Sequence, residues 1–286
     1  MRIAELAGVR SSPTARDCYA SLDVNAPDDY RQLAALLVDD WRSRGIRTVG
    51  VAGGQGAGKS TLGRLLTSAG AFHGQRLEVL SIDDFYLTKA ERKRLAADVH
   101  PLFRTRGPPG THAVRLLLGT LEAMVRGDDA AVPRFDKGID DRVGEAAVAG
   151  PVDIVVLEGW CVGAPPRPAG ESLAPINPLE RQADVDGIWR NAIDDALCGA
   201  YAELNAALDV IVFLKVPGLD AVRRWRLQQE GERPQAQRMT AAEVARFVAH
   251  YERITRRMLV ELPNTADVTV ELAEDHRIAA LHMARS

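Results

Sequence analysis

Gly53-Gly54-Gln55-Gly56-Ala57-Gly58-Lys59-Ser60-Thr61 has the residue types and spacing of a phosphate cradle. The pattern G-x-x-x-x-G-K-[ST] needs glycines because backbone N–H groups must close around an anion where a Cβ would clash. It needs Lys59 because a flexible ammonium reaches the β- and γ-phosphates of a nucleoside triphosphate, and Ser60 because its hydroxyl ligates Mg²⁺. The flanks agree: Ile46 to Ala52 reads as a buried strand, and Leu62, Leu65 and Leu66 fall at helical spacing after the loop. That helix points the positive end of its dipole at the phosphates. The alternative, a plain glycine-rich turn, is disfavoured by the full motif standing in strand–loop–helix context.

Other chemistry-bearing residues sit at strand ends, where ligands of open α/β sheets gather. Leu77 to Ile82 reads as a strand that ends in Asp83-Asp84-Phe85-Tyr86. An acid there can accept a substrate hydroxyl's proton while metal and lysine offset charge on a γ-phosphate. Asp83 suits this better than Asp84, which is one residue further into the loop; the competing reading is a solvated Asp pair capping the next helix. Val152 to Leu157 is an apolar run closed by Glu158, placed to hold Mg²⁺ or its water shell. A purely structural carboxylate there would be costly to bury without a cation. Arg104 and Arg106 beside Gly107-Pro108-Pro109-Gly110 can hold an anion in fixed geometry, or form a basic surface turn. Arg223, Arg224 and Arg226 lie on a helix from Leu219 to Glu230; they can neutralise charge on a transferring phosphoryl group, or simply face solvent.

The elements that position these groups alternate strand and helix, which predicts an α/β fold with a mostly parallel sheet flanked by helices. Val210 to Val216 is another buried strand, and Asp267 to Leu272 is a last one, expected at the sheet edge. Tyr30, Leu33, Leu36, Leu37 and Trp41 make an amphipathic helix within an N-terminal helical extension of about residues 1–45; Ser11-Ser12-Pro13 reads as loop punctuation. Thr111 is expected to cap the helix carrying Val114, Leu117, Leu118 and Leu121, and Thr240 with Glu243 to form a capping box. Val132 to Lys137 is a short extended piece before an Asp140-Asp141-Arg142 loop. Ile188 to Leu204 reads as one helix. Cys161 to Asp184 is rich in proline and reads as a long loop over the site, a lid. Phe247 and Tyr251 read as core. The whole chain of 286 residues is expected to form one domain.

Composition, at 46% hydrophobic and 26% charged, is that of an ordinary globular protein. A net charge of −3 gives no basic field for nucleic acid. Cys18, Cys161 and Cys198 show no C-x-x-C spacing, which fits a reducing compartment. With no signal-peptide run at Met1 and no stretch of membrane-span length, a cytoplasmic protein without membrane contact is expected. No Asn is followed by Lys, so a guanine-binding Asn-Lys-x-Asp is absent, and so is a Leu-Ser-Gly-Gly-Gln transporter signature.

Ser81 to Thr88 resembles the matching segment of the uridine kinase, phosphoribulokinase and pantothenate kinase superfamily. The larger set resembles the glycerate kinase family of plants and fungi. It comprises the phosphate loop, Ser81 to Thr88, Arg106-Gly107-x-Pro109-Gly110-Thr111-His112, Phe135-Asp136-Lys137 with Asp141-Arg142, Leu157-Glu158-Gly159-Trp160, Trp225 to Gln228, and Met239-Thr240 with Glu243 to Tyr251. The resemblance spans about Tyr30 to Arg277 and implies the P-loop nucleoside triphosphate hydrolase fold of kinase type. It implies an ATP- and Mg²⁺-dependent kinase converting D-glycerate to 3-phosphoglycerate, hence an anionic, hydroxylated small-molecule acceptor. It further implies Asp83 as base, Lys59, Ser60 and Glu158 serving ATP and Mg²⁺, a lid role for Arg223 and Arg226, and Tyr86, Arg106, Thr111, His112 and Arg142 near the acceptor. The family has Asp directly after Thr-His where this chain has Ala113. Kinases of pantothenate, uridine or ribulose 5-phosphate type, and an ATP-binding regulatory protein that transfers nothing, remain the alternatives; oligomeric state is not legible.

Overall fold

The structure is a computed structural model that describes residues 12–231, 235 and 238–284. Residues 1–11 of the expected N-terminal extension lie outside the described residues. In chain order the elements are α1 (Pro13–Ser21), α2 (Asp28–Arg44), β1 (Thr48–Gly53), α3 (Lys59–Phe72), β2 (Leu77–Ser81), a 3₁₀ turn (Ile82–Phe85), α4 (Lys89–Asp98), a second 3₁₀ turn (Pro101–Arg104) and α5 (Val114–Arg126). There follow β3 (Ala130–Asp136), β4 (Asp141–Val148), β5 (Ile154–Gly159), α6 (Pro178–Ala183), α7 (Ile188–Cys198), α8 (Ala200–Ala206), β6 (Val210–Lys215), α9 (Leu219–Gly231), α10 (Ala241–Ala249), α11 (Glu252–Thr265), β7 (Val268–Leu272) and β8 (Ile278–Met283).

The main sheet runs β2-β5-β1-β6-β7-β8, parallel except for the antiparallel β8. The apolar runs at β1, β5 and β6 lie inside it because both their faces are covered. Along β5 the side chains alternate between two cores, Ile154 and Val156 packing with Leu62, Leu66 and Trp41, Val155 and Leu157 with Phe85, Leu117 and Leu197. The α/β prediction holds in class and in parallel arrangement. Among the described residues no helix is long and apolar enough to cross a membrane.

Five local expectations are corrected. Residues 267–272 do not form the edge: β8 covers β7, and its Ile-Ala-Ala-Leu-His-Met sequence alternates too weakly to announce a strand. The 132–142 region is a two-stranded antiparallel hairpin, β3–β4, disguised by Pro133, by a bulge at Arg134/Phe135 and by the exposed outer face of β4. Ser12 and Pro13 are a helix start: the Ser12 hydroxyl accepts the Ala15 N–H at 3.0 Å, with Pro at the first position. The helix read across 188–204 breaks in two at Gly199. Thr111 does not cap α5, whose N-cap is Ala113 with no side-chain bond. The Thr240–Glu243 capping box is present, and so is a Thr88–Glu91 box that starts α4.

The proline-rich stretch is not draped over the site. Glu180, fully buried, takes Arg253 at 3.0 and 2.7 Å, and Asp184 takes Arg190 at 2.7 Å. Arg257 joins Asp194 at 2.8 Å and Glu171 at 3.1 Å. These pairs pin residues 171–184 against α7 and α11.

Candidate active site

Strand register brings the expected groups to one edge of the sheet. Glu158 on β5 is opposite Val51 on one side and Ser81 on the other. The phosphate loop therefore leaves β1, and Asp83 leaves β2, at the level of Glu158. A cavity of about 610 Å³ opens there. Its lining includes Gln55, Gly56, Lys59, Ser60, Asp83, Tyr86, Glu158, Arg106 and Arg226. A second cavity of about 580 Å³ lies on the other side of the loop, between Tyr30, Gly56 to Thr61 and Asp275 to Arg277.

The loop is held in shape from outside. Gly56 has φ +80, and a Cβ there would come within 2.8 Å of Trp225 Cβ. Its carbonyl accepts from His276 Nδ1 at 3.1 Å, and that ring stacks on Trp225 at 4.1 Å. Tyr30 Oη donates to the Ala57 carbonyl at 2.9 Å. Lys59 Nζ donates to the Gly53 and Gly54 carbonyls at 2.9 and 3.2 Å, folded back along the cradle.

Asp83 sits in the 3₁₀ turn with both carboxylate oxygens engaged. Oδ1 accepts from Tyr86 Oη at 2.6 Å, and Oδ2 from Lys137 Nζ at 2.6 Å. Burial pushes its pKa up, but the charge and hydrogen bond of Lys137, the Tyr86 bond and His112 outweigh that and hold it below the usual carboxylate value. Burial and the Asp83 carboxylate raise the Tyr86 phenol well above its ordinary value, so Tyr86 stays a donor. Asp84 points elsewhere, accepting the Phe135 N–H at 3.2 Å and tying the β3–β4 hairpin to the turn.

Among the described residues, no group of three or more His, Cys, Asp or Glu side chains could hold a metal alone. Mg²⁺ bound with ATP needs only one or two protein oxygens, because phosphates and water complete its octahedron. Ser60 and the half-buried Glu158 supply hard oxygen donors on the cavity wall. Among the described residues no cation pairs with Glu158. This donor set fits Mg²⁺.

The remaining expected residues divide into lining and wall. Arg106 lines the cavity, paired with Asp140 and lying over the Phe135 ring at 5.5 Å. Arg226 lines it too, paired with Glu230 and stacked over Phe247 at 5.2 Å. Thr111, His112, Arg142 and Arg223 do not line it. Thr111 closes the turn, accepting Gly107 N–H at 2.9 Å and donating to Pro108 O at 2.7 Å. His112 stacks on Tyr86 at 4.8 Å and bonds the Tyr201 hydroxyl through Nδ1. Burial lowers its pKa to about 4, against the pull of Asp83, so the ring is neutral at pH 7. Arg142 donates to the carbonyls of Tyr86 and Phe85 at 2.7 and 3.3 Å, stapling the hairpin to the Asp83 turn. Arg223 pairs with Asp220 and Glu252 at 3.0 and 3.6 Å. No residue of 161–184 lines the cavity, so the stretch expected to be a lid is part of the scaffold.

Lys137, Arg92, Trp160 and Tyr251 line the cavity without having been given a role there. The available signal was Phe135-Asp136-Lys137, a tripeptide whose role depends on a hairpin that the sequence conceals. Tyr251, read as core, donates to the Arg106 carbonyl at 3.0 Å, and Trp160 Nε1 to that of Gly107 at 3.0 Å. Gly107 itself has φ +113, and a Cβ there would lie 2.3 Å from the Tyr251 hydroxyl. Gly107→Ala is therefore expected to destabilise the fold by about 1–3 kcal/mol, seen as a lower denaturation midpoint. Since Arg106 shifts with that turn, the variant should also raise the acceptor's KM more than that of ATP.

Comparison with known proteins bears on the chemistry. No family model matches the chain. The chain is 34% identical over 220 residues to the uncharacterized kinase mug58 of Schizosaccharomyces pombe, covering 71% of this chain and 77% of that protein. The chain belongs to the P-loop kinases of glycerate kinase type. A chloroplastic D-glycerate 3-kinase of Arabidopsis thaliana is 28% identical over 247 residues, spanning 79% of this chain but 52% of that protein. The solved D-glycerate 3-kinase of Cryptococcus neoformans superposes with a TM-score of 0.69 at 24% identity and covers 99% of both chains, which shows a shared fold. This kinase is thus an ATP-dependent phosphotransferase by family, with its phosphate loop on one cavity wall and two acids, Asp83 and Glu158, on the others.

Proposed function

We propose that this kinase transfers the γ-phosphoryl group of MgATP to a hydroxyl of a small anionic metabolite, with D-glycerate, giving 3-phosphoglycerate, as the leading acceptor. The observation that carries the reading is that Lys59, Ser60, Asp83 and Glu158 line one cavity. In this reading the loop N–H groups and Lys59 hold the phosphates, and Ser60 and Glu158 hold Mg²⁺, which when bound offsets charge on the β- and γ-phosphates. Asp83 takes the acceptor hydroxyl's proton as that oxygen bonds to the γ-phosphorus and ADP departs with the electrons of the broken P–O bond. Arg226 neutralises charge on the group in transit, and Tyr86 orients Asp83. Arg104 and Arg106 meet the acceptor's anionic end, Thr111, His112 and Arg142 hold the wall behind it, and Arg223, through Glu252, ties the helix that carries Arg226 to α11. The second cavity, sharing Gly56 to Ser60, would take the nucleoside.

An anionic acceptor is supported by the lining, where Lys59, Arg92, Arg104, Arg106, Lys137 and Arg226 outnumber Asp83, Asp140 and Glu158. Ala113, the departure from the family pattern, is not among the lining residues. A coupled ADP-release assay with MgATP and, in turn, D-glycerate, pantothenate, uridine and ribulose 5-phosphate tests the reading. The highest kcat/KM is expected with D-glycerate. Preference for another of the four would reassign the acceptor, and no acceptor-dependent ADP with any of them would overturn the transfer reading.

A further inference from the structure

The candidate base is held in a state that makes it a poor base. Tyr86 and Lys137 occupy its two oxygens, and an ammonium neutralises its charge. A general base works best with a pKa near the operating pH, and these contacts move Asp83 the other way. For Asp83 to take a proton efficiently, one partner must let go. Tyr86 is not free to do so: it is buried, stacked on His112 with Phe135 edge-on to it, it bridges to His112, and its neighbours Phe85 and Leu87 bond the backbone of Ala113 and Thr111.

Lys137 is built differently. It stands at the tip of the β3–β4 hairpin, 54 residues along the chain from Asp83, with its side chain 54% exposed. Among the described residues its ammonium holds nothing but Asp83. Two of the neighbouring cations are fixed: Arg92 and Arg106 both pair with Asp140, and Arg92 also donates to the Leu87 and Arg104 carbonyls. The lysine end of the pair is open to water while the carboxylate end is 28% exposed, and a strongly hydrated ammonium on a flexible stem exchanges partners readily.

We propose that Lys137 is an acceptor-operated gate on Asp83. With ATP alone, Lys137 stays on the carboxylate, and a water beside the γ-phosphate finds no effective base. When an acceptor enters, its own carboxylate or phosphate takes the ammonium, and Asp83 is released to the acceptor's hydroxyl. The hydroxyl oxygen then bonds to the γ-phosphorus, the bond to the β-bridging oxygen breaks with its electrons leaving on ADP, and the proton passes to Asp83. The gate therefore suppresses the same reaction with water, in which inorganic phosphate would form. It also selects an acceptor with an anionic group near the reacting hydroxyl. This inference rests on Asp83 being the base.

The test needs no knowledge of the acceptor. ADP production from MgATP is measured without acceptor for the wild type, Lys137→Met, Lys137→Arg and the double variant Asp83→Asn/Lys137→Met, with ATP affinity and thermal melting as checks on folding. Lys137→Met is expected to raise acceptor-free ADP production on the order of tenfold, a modest part of what a positioned base contributes. Lys137→Arg should keep the low background, and the double variant should lose the added hydrolysis. An unchanged or lower background in folded Lys137→Met would overturn the gate while leaving Asp83 as base. A raised background that survives in the double variant would overturn the assignment of Asp83, and the gate with it.

Discussion

Asp83→Asn is expected to reduce kcat by a factor on the order of a hundred or more while ATP still binds, because a positioned base contributes roughly that much or more and the phosphate loop is untouched. The substitution is nearly isosteric. It keeps an acceptor for the Tyr86 hydroxyl and removes only the charge that Lys137 answers. Nucleotide affinity measured by calorimetry separates the two effects. A protein that uses ATP only to set a conformation would keep its turnover. The pH profile makes the same point from another side. The base works ionised, and its pKa in the free enzyme lies below the ordinary carboxylate value of 3.8. Since kcat/KM reports the free enzyme, it should stay flat as pH falls from neutral and drop only as pH passes below that value. The stabilising Lys137 contact obeys the same sign: it is present above the unfolded carboxylate's pKa and is lost as pH falls through the depressed one. Lys137→Met should move the acid limb upward. An acid limb already near pH 6 in the wild type would assign the proton to some other group.

What could be read without coordinates was the part that depends on local pattern. The phosphate loop, the apolar runs of β1, β5 and β6 and the capping box at Thr240 announce themselves because each needs only neighbouring residues. Asp83 and Glu158 followed from one topological rule, that strand ends gather ligands. Lys137 could not be found that way. Its meeting with Asp83 depends on a hairpin with Pro133 inside one strand and Gly144, at φ +149, inside the other, both of which weaken the strand signal. Phe247 and Tyr251 were read as core from their helical spacing, and they are half-buried and buried respectively. Yet both also line the cavity, since an aromatic ring can fill a core with one face and show the other to a ligand. Thr111, His112 and Arg142 belong to the same lesson in reverse. They are close to the site in sequence and support it, but Thr111 and Arg142 bond carbonyls and His112 Nδ1 a phenol behind the wall, which leaves only His112 Nε2, buried, without a partner among the described residues.

Glu180→Ala should be the most damaging change away from the cavity. The proline content of 161–184 invited the reading of a mobile lid, and the buried charges of this region contradict it. Glu180 is fully buried on α6. It accepts two bonds from Arg253 and the Ile176 N–H at 2.9 Å, and Arg190 lies 3.9 Å away. Removing it leaves Arg253, itself 9% exposed, with a buried charge met by the Ser172 and Ala174 carbonyls and, of carboxylates, only by the partly exposed Glu171 at 3.8 Å. Breaking one partner out of such a pair costs about 3–5 kcal/mol, mostly the penalty of the orphaned ion. For a chain of this size each kcal/mol lowers the melting temperature by about 2–4 °C, so a fall on the order of 10 °C is expected by calorimetry. Because no residue of this segment lines the cavity, kcat measured well below the melting transition should be close to wild type. A lid would behave in the opposite way, with little change in melting and a large change in turnover. Glu180→Ala combined with Arg253→Met should recover much of the lost stability, since the double change removes the orphaned charge along with its partner.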